Sequence, residues 1–342
     1  MTAAATSTET PPVLLQLNDV SKQFAARVGL RKAAVSAVDG VSLTLRRGDT
    51  LGVVGESGCG KSTLARLVVG LVQCDSGDVV FDGRTYRAGR RRTRRDLRDM
   101  QMVFQDPHSA LNPRATIGEA IAFPLRTQGV SRAETEARVD EVLARVGLHG
   151  NYRSHYPHQL SGGQRQRVNI ARALALKPKL VVLDESVSAL DKSVQAQILD
   201  LLLELQVEYG LSYLFISHDL NVVEYMSDRV AVMYLGHVVE ECSAEELYRA
   251  PLHPYSQVLL ESIPKLDPRE RGGPSALTDG EMPSPLDPPS GCRFRTRCPF
   301  AMDVCATTRP PLVETRPGHL VACHLHPVPE SATAGDPIPG EQ

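Results

Sequence analysis

An α/β fold carrying a helical insertion is predicted by three observations. Short apolar runs at residues 51–54, 100–104, 179–184 and 211–217 have the length and composition of buried parallel strands. Their exits are polar or glycine-rich: Gly55, Gln105, Asp184-Glu185 and His218-Asp219 follow directly. Residues 131–147, SRAETEARVDEVLARVG, read as an amphipathic helix, with Val139, Val142, Leu143 and Val146 on one face. The expected organisation is a tail at 1–12 and an α/β core at 13–265 with its helical subdomain at about 106–168. An extension at 266–342 with four cysteines completes the chain.

The first run leads into TLGVVGESGCGKS, residues 50–62, where Gly55, Gly60, Lys61 and Ser62 satisfy the phosphate-loop pattern. Glycines let backbone N–H groups approach phosphate oxygens, and the following helix adds the partial positive charge of its N-terminus. Lys61 would reach the outer phosphates and the Ser62 hydroxyl would ligate Mg²⁺. The strand at 51–54 and a helix at 63–71 supply the context that such a loop requires.

Before that loop, the small, polar, proline-ended residues 1–12 predict disorder. VLLQLNDV at 13–20 and AVDGVSLTL at 37–45 read as strands, and Phe24 between them could stack on a purine ring or belong to the core. After the loop, GDVVFDG at 77–83 reads as an edge strand and turn. Eight arginines then fall between Arg84 and Arg98. Such a run could meet nucleic acid or anionic lipid, but a solvated helix face partly neutralised by Asp96 and Asp99 is the favoured reading.

Gln105, at the exit of MQMVF, could bind Mg²⁺ and the attacking water. LSGGQRQRVNIARAL from Leu160 is a second anion-binding helix start, with Ser161 as cap and Gly162 and Gly163 allowing close approach. Two phosphate-type sites separated by a helical region point to a nucleotide site shared between subunits. KLVVLD at 179–184 delivers Asp184, which can hold Mg²⁺ through water, and Glu185, which can orient or deprotonate the water attacking a γ-phosphate. LSYLFIS at 211–217 delivers His218. These groups gather at the carboxyl ends of strands, where open α/β sheets bind ligands.

Composition sets the remaining limits. A chain of 342 residues that is 42% hydrophobic and 23% charged is of the globular cytosolic type, and its net charge of −2 creates no global attraction for nucleic acid. No apolar run approaches the ~18 to 20 residues of a membrane helix, so a membrane role would come through partners. Of seven cysteines, Cys292, Cys298, Cys305 and Cys323 crowd the tail. Where thiols are kept reduced, these are metal ligands before they are disulfides, although they lack the Cys-x₂-Cys pairs of zinc ribbons.

With LSGGQ at 160–164, the sequence resembles the ATP-binding subunits of ABC transporters over residues 13–264 and into the tail. The resemblance implies an ABC-type P-loop NTPase core binding ATP and Mg²⁺. Gly55, Glu56, Ser57, Gly58, Cys59, Gly60, Lys61 and Ser62, followed by Thr63, become the Walker A segment, and Phe24 the adenine platform. Gln105 becomes the Q-loop glutamine; Ser161, Gly162, Gly163 and Gln164 belong to the signature. Residues 181–184 become Walker B with Glu185 as catalytic base, residues 188–191 the D-loop, and His218 the switch histidine. Ser62, Gln105 and Asp184 are the Mg²⁺ set. One departure is Ser186, where the family usually has proline.

Closer resemblance is to the oligopeptide and dipeptide importer branch, through QDPHSALNPRATIGE at 105–119, YPHQLSGGQRQR at 156–167, PLHPYSQVLLESIP at 251–264 and PSGCRFRTRCPFAMDVC at 289–305. It implies a [4Fe–4S] cluster on Cys292, Cys298, Cys305 and Cys323; zinc aided by His319 or His324, or free thiols, are the alternatives. The Pro- and Gly-rich tail then depends on metal for its order. The implied partners are a second ABC ATPase subunit, identical or different, two transmembrane permease subunits and an extracytoplasmic substrate-binding protein, with the chain peripheral on the cytoplasmic face of the membrane. Peptide is the expected cargo, nickel or another small solute the alternative. A soluble ABC ATPase acting on nucleic acid, and a regulator that hardly turns over, are the readings from other classes.

Overall fold

The computed structural model describes residues 11–28, 31–89, 92–106, 109–263 and 282–326. The expectations for residues 1–10, Arg90, Arg91 and 264–281 lie outside these. The chain opens with two long strands, β1 (Val13–Val28) and β2 (Arg31–Arg46), then β3 (Thr50–Val54) and helix α1 (Lys61–Val68). Next come β4 (Ser76–Phe81), β5 (Arg84–Arg87), α2 (Arg94–Asp99) and β6 (Met100–Val103). A helical stretch follows: α3 (Ile117–Thr127), α4 (Arg132–Arg145) and α5 (Gly162–Leu174). The chain then alternates through β7 (Leu180–Asp184), α6 (Lys192–Tyr209), β8 (Ser212–Ile216), α7 (Leu220–Met226), β9 (Arg229–Tyr234) and β10 (His237–Ser243). Helices α8 (Ala244–Arg249), α9 (Pro254–Glu261) and α10 (Asp303–Thr307) precede the last strands, β11 (Val313–Arg316) and β12 (His319–Val321).

Two sheets result. An antiparallel sheet has the order β2-β1-β4-β5, and an eight-stranded sheet the order β11-β12-β10-β9-β3-β8-β7-β6, parallel from β9 to β6. The central strands are buried on both faces, which is why they read as unbroken apolar runs. Their side chains alternate between two cores. Val54, Val181, Leu183, Tyr213 and Phe215 pack on the helical side, whereas Leu51, Val53, Leu180, Val182, Leu214 and Ile216 pack under the antiparallel sheet with α1. The predicted stripe of α4 is fully buried: Val139, Val142, Leu143 and Val146 are all 0% exposed. Capping boxes at Thr116/Glu119, Ser131/Glu134 and Ser161/Gln164 start α3, α4 and α5, each satisfying backbone donors that a helix start leaves open.

Several expectations are corrected. Residues 77–83 hold an interior strand, because β5 pairs outside β4. Phe24 lies within β1 opposite Val35 rather than in the connection between two strands. The arginine run is not one helix face: it is split between β5 and the six residues of α2. Arg84 pairs with Asp96, Arg87 with Asp78, and Arg95 and Arg98 with Asp99. Arg92 lies over the Tyr86 ring and donates to the Leu67 and Val68 carbonyls at the end of α1. Phe294 and Val321 are buried, and β12 joins the main sheet against β10.

Candidate functional site

Strand register assembles the site. Val53 lies opposite Ile216, Asp184 opposite Ile216, and Val103 opposite Leu183. The residues just beyond these strands, at Gly55, Gln105, Glu185 and His218, therefore leave the sheet side by side. Gly55 and Gly60 have φ of 151° and 113°, and a Cβ there would meet the Met233 and Ala37 carbonyl oxygens at 2.1 and 2.0 Å. Only glycine fits this close approach. The N-cap of α1 is Gly60 with no side-chain cap, so the first N–H groups of the helix face the loop. Ser57 and Gly58 are exposed, Thr63 is half-buried, and Cys59 is buried, which pushes its thiol pKa up.

Lys61 is 4% exposed and donates to the carbonyls of Gly55, at 2.7 Å, and Glu56, at 3.0 Å. The cation thus sits inside the concavity that its loop forms. The Ser62 hydroxyl donates to Asp184 Oδ1 at 3.0 Å. Burial raises the Asp184 carboxyl above its ordinary range; Ser62 opposes this and the Glu185 charge adds to it. A buried hydroxyl–carboxylate pair of this kind fits a hard cation, whose preferred ligands are oxygens.

Glu185 holds φ of 47°, a left-handed conformation that costs a non-glycine residue on the order of 1–3 kcal/mol. Its own N–H donates to the Ile216 carbonyl at 2.9 Å, which keeps it in place. Gln105 Nε2 donates to Glu185 Oε2 at 2.7 Å, and His218 Nδ1 lies 3.4 Å from the same oxygen. Two of the predicted polar groups, Gln105 and His218, therefore converge on the carboxylate of a third, Glu185. Ser186, behind them, is buried with its hydroxyl unpartnered among the described residues.

The second glycine segment opens α5. Ser161 is exposed, its hydroxyl accepts from Gln164 N at 3.3 Å, and its N–H donates to Gln164 Oε1 at 2.9 Å. Gly162 and Gly163 follow as the first helical residues, and a Cβ on Gly163 would stand 2.5 Å from Val194. Phe24 is 41% exposed with the Lys22 ammonium 5.6 Å from its ring, a surface position open to a flat ligand.

Cys292, Cys298, Cys305 and Cys323 line one small pocket with His253, Phe294, Phe300, Met302, His324 and Leu325. Burial and the neighbouring thiols push up the pKa values of Cys292 and Cys323, the latter to about 11. His319 is not among them. It is 0% exposed and its Nε2 sits 2.7 Å from Glu240 Oε1, with Cys242 beside the pair. The expectation that His319 helps these thiols hold zinc is thereby corrected: β12 turns it towards β10. Among the described residues, Glu240, Cys242 and His319 are the one set of ligand-type side chains converging within 4.8 Å.

The sequence reading missed the partners of Glu56. Arg297 Nη1 lies 3.0 Å from both Glu56 carboxylate oxygens, and the Glu56 N–H donates to the Tyr255 hydroxyl at 2.9 Å. The two ends of the ion pair are 241 residues apart, and no local pattern announces it.

Comparison with known proteins gives the same picture. The ABC transporter family model matches residues 38–188, and the model for the oligopeptide/dipeptide transporter C-terminal region matches residues 239–305. The oligopeptide transport ATP-binding protein AppF of Bacillus subtilis is 50% identical, covering 95% of this chain and 100% of the relative. OppF of Salmonella typhimurium is 51% identical, over 91% of this chain and 96% of its own length. Among solved structures, cbiO1 of Clostridium perfringens superposes with a TM-score of 0.60 at 28% identity, covering 70% of this chain and 91% of that one. The dimeric ATP-binding cassette MJ0796, bound to ADP and Pi, gives 0.59 at 30% identity, covering 68% and 99%. From the shared sequence over nearly its whole length, the chain belongs to the ABC transporter family, in the branch of oligopeptide transport ATP-binding proteins.

Proposed function

We propose that this chain is the ATP-binding and ATP-hydrolysing subunit that powers a membrane importer for di- and oligopeptides. The observation that carries the reading is the convergence of Gln105 and His218 on Glu185 beside a phosphate loop whose Ser62 is bonded to Asp184. In this reading Glu185 takes the proton of the attacking water, His218 contacts the γ-phosphate, and Lys61 turns from its loop carbonyls to the outer phosphates. Phe24 stacks on the adenine. Ser62, Gln105 and Asp184 would hold Mg²⁺, which supplies charge neutralisation on the phosphates when bound.

Ser161 and its glycines serve, in this reading, the nucleotide of a second ATPase subunit, as the dimeric MJ0796 arrangement suggests. Closure of that sandwich would move two transmembrane permease subunits, with an extracytoplasmic binding protein delivering cargo. Among the described residues no helix is long and apolar enough to cross a membrane, and we place the chain peripherally on the cytoplasmic face. The boundaries of core (13–265), helical subdomain (about 106–168) and extension (266–342) follow the same reading.

For the tail, the four thiols line one small, largely apolar pocket, and thiolates are the ligands an iron–sulfur cluster takes. In this reading Cys292, Cys298, Cys305 and Cys323 would hold a [4Fe–4S] cluster, with zinc as the alternative. Such a group would supply a covalent brace for the extension.

The direct test is transport. In cells lacking their own peptide-importer ATPases, the chain expressed with its permease subunits should restore ATP-dependent uptake of a labelled tripeptide, and Lys61→Ala should not. Uptake of nickel instead of peptide would replace the cargo assignment.

A further inference from the structure

We infer that Arg297 is a positioning residue for the phosphate loop, through which the C-terminal extension helps set nucleotide affinity. The inference rests on the reading of residues 55–62 as the ATP site. Glu56 is gripped at both ends: its carboxylate by Arg297, through two contacts of 3.0 Å, and its N–H by the Tyr255 hydroxyl at 2.9 Å. Its carbonyl meanwhile receives Lys61 Nζ at 3.0 Å. Every polar group of Glu56 is thus committed, two of them to residues outside the loop. The Arg297 side chain is 9% exposed, so water screens this pair far less than a surface ion pair.

The support behind the grip belongs to the same extension. Phe294, three residues before Arg297, is 1% exposed and packs 5.4 Å from the rings of Tyr234 and Tyr255, with the Arg297 guanidinium 5.8 Å from its own ring. A second route runs in parallel. Arg293 donates to the Leu235 carbonyl and pairs with Asp39, and Arg309 donates to the Asp39 carbonyl at 3.0 Å. Asp39 N–H donates to Gly236 O at 2.9 Å, and Gly236 N–H donates to Cys59 O, inside the loop, at 2.7 Å. The extension therefore reaches the loop near its first and its penultimate glycine. Cys292 directly precedes Arg293 and Cys298 directly follows Arg297.

A loop held open before nucleotide arrives loses less conformational freedom on binding, and releasing it weakens affinity. Arg297→Ala should weaken ATP binding to the purified full-length chain by about five- to tenfold, the lower range of coupling between distinct parts of a protein. Amide exchange in residues 55–62 should speed up, while the melting temperature stays near that of the parent. Arg297→Lys, which keeps the charge but not the two-pronged contact, should recover part of the affinity, and Glu56→Gln should reproduce the loss without adding to Arg297→Ala in the double variant. Unchanged affinity and exchange in Arg297→Ala would overturn the inference, as would equal losses in the Ala and Lys variants accompanied by a lowered melting temperature. If the parent chain itself fails to bind ATP, the assignment of the loop falls first and the positioning role with it.

Discussion

Glu185 concentrates the chemistry of the site in one strained residue. Its left-handed backbone turns the carboxylate towards Gln105 and His218, and the Ile216 carbonyl holds the turn from behind. Glu185→Gln preserves size and hydrogen bonding to Gln105 but removes the proposed proton acceptor. It should lower kcat by roughly 10²- to 10⁴-fold while ATP affinity stays within a factor of about two. Single-turnover hydrolysis and nucleotide binding measured on the same preparation check this, and a variant that turns over normally sinks the base assignment. The neighbouring Ser186 has a hydroxyl that is buried without a partner, an arrangement that costs about 1–3 kcal/mol. Ser186→Ala should therefore raise stability by about 1 kcal/mol, read as a higher melting temperature, without loss of ATP binding. Local chemistry pointed to most of the candidate site residues: a phosphate loop has few other uses, and the acidic pair, of a kind usually just solvated, takes its reading from that loop. The pairing of Glu56 with Arg297 was invisible because each is an ordinary charged residue until the fold brings them together.

The elements were legible where burial imposes a period. The stripe of α4 and the central strands were read from sequence because each has one or two fully apolar faces. Strands β11 and β12, at four and three residues, are too short to show a period, and β4 reads like an edge although β5 lies beyond it. Their placement depends on buried polar pairs that no periodicity encodes. Strand β10 offers Glu240, which is 0% exposed; burial would raise its carboxyl pKa, but His319 and the N–H groups of Leu252 and His253 outweigh this and hold it below the ordinary range. Burial lowers His253 from 6.5 to about 4. Both shifts are downward, so both groups stabilise the fold at neutral pH and cease to do so in acid. His253 is lost first, as pH falls from 6.5 towards 4, because the unfolded chain takes up its proton and the folded chain resists it; Glu240 follows below its ordinary 4.5. The His253 shift corresponds to about 3 kcal/mol across that window. His253→Asn keeps an acceptor for the Tyr255 N–H at the start of α9 and removes the titration. Melting temperatures from pH 7 to 4 should fall less steeply in this variant than in the parent; equal slopes would assign the acid lability elsewhere.

At the scale of the whole molecule, the sequence holds one phosphate loop and one signature segment. In the proposed dimer each chain is then two half-sites rather than one enzyme. In a symmetric dimer, a subunit supplies its loop to one nucleotide and its Ser161 to the other. The consequence is testable by mixing two defective chains of opposite fault. Lys61→Ala destroys the loop half and leaves Ser161 intact. Ser161→Asp leaves the loop intact, and because aspartate is also a good N-cap, α5 should still start where it does. Its negative charge would face the partner's γ-phosphate and oppose closure. Each variant alone should be inactive, since all its sites contain a fault. In an equal mixture half of the dimers combine the two chains, and each of these has one sound site of two, so about a quarter of parental ATPase activity should return. A mixture as inactive as its components would reject sharing between identical chains. Activity in Ser161→Asp alone would reject the signature serine as a contact for the phosphate.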